Sequence, residues 1–78
     1  MPKILIVEDQ VLIANYIKNL LNDNNITDVE LAFNVDEATK KNNLFMPEII
    51  LLDINLHGKD TGILWAKEFV KNSQIIFI

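Results

Sequence analysis

The sequence predicts an α/β protein in which a parallel β-sheet is flanked by helices. Short apolar runs rich in branched residues recur along the chain, and segments with a helical spacing of apolar residues separate them. The resulting order is strand, helix, strand, helix, strand, helix, strand, which is typical of parallel strands joined by crossover helices. With 78 residues, half of them hydrophobic, the chain is long enough for one small domain with a packed core.

The first half of the chain predicts two strands and the helix between them. Residues 4–7 are all apolar and mostly β-branched, which predicts a strand buried on both faces. In residues 11–21 the apolar positions form one stripe of a helix, and the polar residues 22–25 end it. Residues 29–33 predict a second, shorter strand.

The middle of the chain predicts a short helix and a third strand. Asn34 and Glu37 form a capping pair, which predicts a helix that continues through Lys41. Residues 49–52 follow as a fully apolar strand.

The last part of the chain predicts a loop, a third helix and a fourth strand. Residues 54–59 are expected to form the loop, and Asp60 or Thr61 to cap a helix with apolar positions as far as Val70. Residues 74–78 predict the final strand.

Composition narrows the possible functions. The net charge is −4, the lysines are scattered and arginine is absent, so we expect no nucleic-acid contact by this segment. The absence of cysteine excludes disulfides and thiolate metal sites and fits a cytoplasmic protein. Because Glu8 interrupts the first apolar run, that run is too short for a signal peptide or a membrane helix, and we expect no membrane contact.

Acidic residues follow two of the predicted strands. Glu8 and Asp9 come directly after the first strand, and Asp53 comes after the third. Ligands of parallel sheets bind beyond the carboxyl ends of the strands, so the three carboxylates would converge if these strands are neighbours. Crowded carboxylates raise one another's pKa or require a cation, and a set of oxygen ligands suits Mg²⁺ better than zinc.

Each of these residues also has a purely structural interpretation. Asp9 could cap the following helix, Asp53 could bind its own backbone in a turn, and Glu8 could be solvated. The combination of an acidic pair after one strand and a single Asp after another favours a metal or phosphate site.

Two segments resemble the response-regulator receiver domains, of the chemotaxis-regulator type. Residues 4–9, Ile-Leu-Ile-Val-Glu-Asp, resemble the family's opening strand and acidic pair. Residues 47–56, Pro-Glu-Ile-Ile-Leu-Leu-Asp-Ile-Asn-Leu, are similar to its phosphoacceptor strand and the loop after it. The resemblance implies a flavodoxin-like receiver fold over residues 1–78. It also implies a phosphoacceptor module of two-component signal transduction, not an enzyme.

The resemblance also implies roles for four residues. Asp53 would accept a phosphoryl group from a sensor histidine kinase, and it would bind Mg²⁺ as well. Asp9 would bind Mg²⁺ directly, Glu8 would reach the ion through water, and Asn55 would offer its backbone carbonyl.

The loop after Asp53 departs from the family pattern at two positions. His57 stands where proline is frequent, and Thr61 where glycine is frequent. Because His57 lies four residues past Asp53 on a loop expected to lead away from the site, we expect no metal or proton-transfer role for it.

The family pattern extends beyond residue 78. Receiver domains have five strands, with a Thr or Ser after the fourth and a Lys after the fifth, so we expect this domain to be incomplete at its C-terminus. Residues 74–78 would then form an exposed apolar sheet edge, which predicts self-association.

Three other functions are alternatives to the phosphoacceptor module, and single residues disfavour two of them. A docking or dimerisation module that acts without phosphorylation stays open as an alternative. A haloacid-dehalogenase-like phosphatase is disfavoured, because that family needs an Asp two residues after its nucleophile and Asn55 stands there. A dinucleotide-binding fold is disfavoured because no glycine follows the first strand.

Overall fold

A computed structural model describes residues 2–58 and 60–78, and these residues form a four-stranded parallel sheet with three helices. The strands are β1 (Ile4–Val7), β2 (Val29–Ala32), β3 (Ile49–Leu52) and β4 (Gln74–Phe77). The helices are α1 (Val11–Asp23), α2 (Val35–Phe45) and α3 (Thr61–Phe69). The predicted fold class and order of elements are confirmed. No helix in the described part of the chain is long and apolar enough to cross a membrane.

The strands lie in the order β2-β1-β3-β4, so β1 and β3 are neighbours. The chain runs outward from β1 to β2 and then returns past β1 to β3, which makes the gap between β1 and β3 the switch point of the sheet. Val7 at the end of β1 is level with Ala32 on one side and with Leu52 on the other. The residues that follow β1 and β3 therefore emerge side by side at one edge.

The helices cover both faces of the sheet, and β1 lies buried between them. All four residues of β1 are buried, as its unbroken apolar run predicts. One face packs against α1 through Ile4, Ile6, Ala14 and Val29. The other face packs against α2 and α3 through a larger cluster that includes Leu5, Val7, Ala38, Ile50, Leu52, Leu56, Trp65 and Ala66.

The start of α2 agrees with the predicted capping pair. The side chain of Asn34 accepts the backbone N–H of Glu37 at 2.9 Å. The Glu37 carboxylate in turn accepts the N–H of Phe33 at 2.8 Å. The first bond satisfies a backbone donor that the first turn of a helix leaves without a partner, and the second ties the residue before the cap to that turn.

The predicted end of α2 at Lys41 is wrong, because the helix continues to Phe45. Contacts with neighbouring elements hold the polar last turns in place. The Lys41 ammonium donates to the carbonyl of Leu31 at 2.7 Å, and the Asn42 side chain donates to the carbonyl of Phe69 at 3.3 Å. Met46 then takes a left-handed conformation and ends the helix.

The first turn of α3 packs closely against the end of β3. Gly62 is buried, and a Cβ at this position would lie 2.6 Å from the backbone oxygen of Asp53. No local sequence pattern predicts this close approach. The close approach requires glycine at 62, while Thr61 is accommodated one position earlier.

Gly62→Ala tests this close approach. Alanine favours a helix over glycine by about 1 kcal/mol, so helix propensity alone predicts a more stable protein. We expect instead a loss of about 1–3 kcal/mol in the free energy of unfolding, because the backbone of Asp53 has to move away. Urea unfolding measures the change, and Lys67→Ala on the exposed side of α3 is the control, expected within about 0.5 kcal/mol of wild type. A Gly62→Ala protein as stable as wild type would contradict the close approach.

Candidate functional site

Three carboxylates meet at the switch point of the sheet. Hydrogen bonding continues one residue past the strands, since Asp53 donates its N–H to the carbonyl of Val7 and Glu8 donates its N–H to that of Ala32, both at 3.0 Å. This pairing brings Glu8 and Asp53 side by side, and Asp9 follows Glu8. Each of the three residues offers a carboxylate oxygen, and these oxygens lie within 4.8 Å of one another.

Glu8 is the buried member of this carboxylate cluster. It is 5% exposed, so the interpretation of Glu8 as a solvated surface residue is wrong. Burial, which disfavours the charged form, raises the pKa of Glu8 to about 7, although the N–H of Gln10 bonds its carboxylate at 3.1 Å and acts in the opposite direction. The neighbouring Asp9 and Asp53 raise the pKa of Glu8 further.

Asp9 does not cap α1. The cap position is Gln10, which makes no side-chain capping bond. The Asp9 carboxylate turns instead toward the loop after β3, where its Oδ2 accepts the backbone N–H of His57 at 3.2 Å. The interpretation of Asp9 as a cap of α1 is therefore wrong.

Asp53 combines a turn contact with its place in the cluster. Its Oδ1 accepts the backbone N–H of Asn55 at 2.9 Å, which is the local bond that a turn interpretation predicts. That bond fixes the orientation of the carboxylate at the end of β3. The Asn55 carbonyl accepts the N–H of Gly58 at 2.6 Å within the same turn. Because a carbonyl oxygen has a second lone pair, this bond leaves the oxygen able to bind another partner.

The loop after β3 folds back over the site, so the expectation that it leads away is wrong. Leu56 is fully buried and draws the loop toward the core. His57 and Gly58 both have positive φ, at 57° and 73°, and reverse the chain direction. As a result the His57 ring nitrogen Nδ1 lies 3.6 Å from Asp9 Oδ2. An apolar residue followed by His-Gly is the sequence signal of this reversal, and by itself it also fits an ordinary loop.

Comparison with known proteins identifies the family. The family model of the response regulator receiver domain matches residues 4–78. The chain belongs to this family. The resemblance that the sequence suggested and the flavodoxin-like receiver fold are thus confirmed. Receiver domains are generally signalling modules and not enzymes.

Individual relatives support the assignment. The chemotaxis protein CheY of Listeria monocytogenes serovar 1/2a is 38% identical over 60 residues, which cover 77% of this receiver chain and 50% of the relative. This chain therefore spans about half the length of the curated relatives it matches.

Solved receiver structures share the fold. The N-terminal domain of a response regulator/sensory box/GGDEF three-domain protein from Carboxydothermus hydrogenoformans superposes with a TM-score of 0.83 and 35% identity, over 96% of this chain and 62% of that one. The signal receiver domain of a modulated diguanylate cyclase from Desulfovibrio desulfuricans G20 gives a TM-score of 0.80 and 34% identity, over 100% of this chain and 64% of that one.

The raised pKa of Glu8 predicts a pH dependence of stability in the absence of divalent cations. The pKa of the Glu8 carboxyl rises from 4.5 in the unfolded chain to about 7 in the folded one. Its contribution to the stability of the fold is therefore complete below pH 4.5. That contribution is lost as pH rises through 7, and it amounts to at most about 3 kcal/mol. We expect the free energy of unfolding of wild type, measured in urea with a chelator, to fall relative to Glu8→Gln between pH 4.5 and 8. If the free energies of unfolding of the two proteins changed with pH in parallel, that result would contradict the raised pKa of Glu8.

Proposed function

We propose that this receiver domain, residues 1–78, accepts a phosphoryl group on Asp53 from a phosphohistidine of a sensor histidine kinase, with Mg²⁺ as cofactor. The proposed setting is the cytoplasm. The convergence of Glu8, Asp9 and Asp53 at the switch point is the single observation that carries the proposal. Membership of the receiver family supports it.

Asp53 is the proposed nucleophile. It stands at the end of the central strand β3, partly exposed, and its turn bond to Asn55 orients the carboxylate. In the transfer, an oxygen of Asp53 forms a bond to phosphorus while the bond from phosphorus to the donor nitrogen breaks, and the imidazole of the kinase leaves. The main task of the protein in such a reaction is positioning and charge stabilisation.

The donor set fits a hard divalent cation. The three side chains that meet at the switch point are carboxylates. Burial and then crowding by Asp9 and Asp53 raise the pKa of Glu8, and a cation would relieve the crowding. Asp9 and Asp53 would bind Mg²⁺ directly, Glu8 through water, and Asn55 through its backbone carbonyl. Bound Mg²⁺ would neutralise charge on the carboxylates and on the incoming phosphoryl group.

Phosphorylation is tested on the natural full-length protein. We expect a small phosphodonor such as acetyl phosphate, with millimolar Mg²⁺, to add one phosphoryl group, detected as a mass increase in intact-protein mass spectrometry. The adduct should be absent without Mg²⁺ and in Asp53→Asn, an isosteric change that removes the nucleophile. Asp60→Asn, an exposed carboxylate at the start of α3, is the matched control and should be modified like wild type. An adduct that survives Asp53→Asn would contradict the proposal.

Self-association of the 78-residue chain is a further part of the proposal. Strand β4 lies at the edge of the described sheet, and Ile76, Phe77 and Ile78 beside that edge are each more than 40% exposed. Exposed apolar strand edges pair with other chains.

Light scattering at micromolar concentration tests the association. We expect a mass above the 9.0 kDa of one chain. Ile76→Lys should restore the monomer, because charge on an edge strand opposes pairing. Leu64→Lys, at an exposed apolar position on α3, should leave the association unchanged. A monomeric mass for wild type would refute self-association without bearing on phosphorylation.

A further inference from the structure

His57 is a donor of a different chemical kind beside the carboxylate cluster. It is the one histidine of a chain without cysteine, so its imidazole is the chain's one donor of the imidazole or thiolate type, which favours transition metals over Mg²⁺. The loop brings this imidazole to Asp9 by two contacts, the backbone N–H at 3.2 Å and Nδ1 at 3.6 Å from the same oxygen.

We infer that His57 donates an imidazole nitrogen to a cation held by Asp9 and Asp53, so that this receiver domain binds first-row transition-metal ions such as Co²⁺ in strong preference to Mg²⁺. The inference rests on the proposed function, because it uses the same cation position. It adds a ligand and a selectivity that the carboxylates alone do not provide.

The distance between the two donors fits a shared ion. Ligand atoms at roughly 2.0–2.2 Å from a metal lie roughly 3–3.5 Å from their neighbours in the coordination sphere, close to the 3.6 Å between Nδ1 and Asp9 Oδ2. The three carboxylates meet within 4.8 Å of one another, and His57 approaches them from the side of Asp9. Its side chain is 46% exposed, which leaves the ring room to turn toward the ion.

The selectivity follows from the preferences of the two classes of ion. Mg²⁺ takes oxygen ligands and keeps several waters, so a nearby imidazole adds little to its binding. Imidazole suits Co²⁺, Ni²⁺ and Zn²⁺, and a mixed nitrogen and oxygen site binds these ions more tightly along the first-row series. An imidazole added to the carboxylate cluster therefore raises the affinity for Co²⁺ selectively.

The backbone of His57 determines which variants are informative. Its φ of 57° lies in the left-handed region, which asparagine and glycine adopt more readily than other residues. Both His57→Asn and His57→Gly keep the N–H that bonds Asp9 and remove the imidazole. Proline would remove that N–H and cannot adopt this φ, so it is not a clean test.

The experiment compares Co²⁺ and Mg²⁺ binding by calorimetry and NMR in untagged wild type, His57→Asn, His57→Gly and Asp9→Asn. We expect His57→Asn and His57→Gly to lower Co²⁺ affinity about tenfold or more while Mg²⁺ affinity changes less than about twofold. In wild type with Co²⁺, proton NMR should show one strongly shifted ring N–H signal that disappears in D₂O. Since the chain has one histidine, that signal reports His57 coordination directly.

The outcomes separate the inference from the proposed function. Unchanged Co²⁺ affinity in both His57 variants, or no shifted ring N–H signal, overturns the inference. Equal losses for Co²⁺ and Mg²⁺ also overturn it, because His57 then acts only by positioning Asp9. Co²⁺ binding that survives Asp9→Asn overturns it too, since the ion would lie outside the cluster. The proposed function fails on a separate result, namely no Mg²⁺ binding or Mg²⁺ binding that is unaffected by Asp9→Asn.

Discussion

The parallel pairing of β1 with β3 is the interaction on which the rest of this structure depends. Val7 lies level with Leu52, and Asp53, the residue after β3, still donates its N–H to the carbonyl of Val7. Burial of the apolar side chains of β1 fixes this register, at roughly 1.5–3 kcal/mol for each large side chain. A slip of one residue would exchange the two faces of the strand and separate Glu8 from Asp53. The fold and the candidate site are therefore specified by the same contacts.

That register also brings carboxylates that repel one another together at the carboxyl end of the sheet. It brings Glu8 close to two other carboxylates and buries it almost completely. A proton on Glu8 or a cation among the carboxylates relieves the repulsion, and these two solutions compete for the same position. The site therefore favours a bound positive charge before any phosphoryl donor binds. In the proposed function, this preference is what recruits Mg²⁺ beside Asp53.

Much of this arrangement is predictable from the sequence, since parallel strands place the residues that follow them at one edge. The apolar runs of β1 and β3 predict the strands, and the acidic residues after them predict the cluster. The length of α2 depends on tertiary contacts of Lys41 and Asn42 that no local pattern contains. The position of His57 depends on two consecutive left-handed residues and on a buried Leu56. The need for glycine at 62 arises from a close approach to another element, which only coordinates reveal.

A backbone NMR titration with Mg²⁺ tests the central claim most directly, that the register of β1 and β3 builds a cation site at the switch point. We expect saturable shift changes concentrated in residues 7–10 and 53–58, and their loss in Asp9→Asn. The absence of shift changes at millimolar Mg²⁺, or the same changes in wild type and Asp9→Asn, would contradict it.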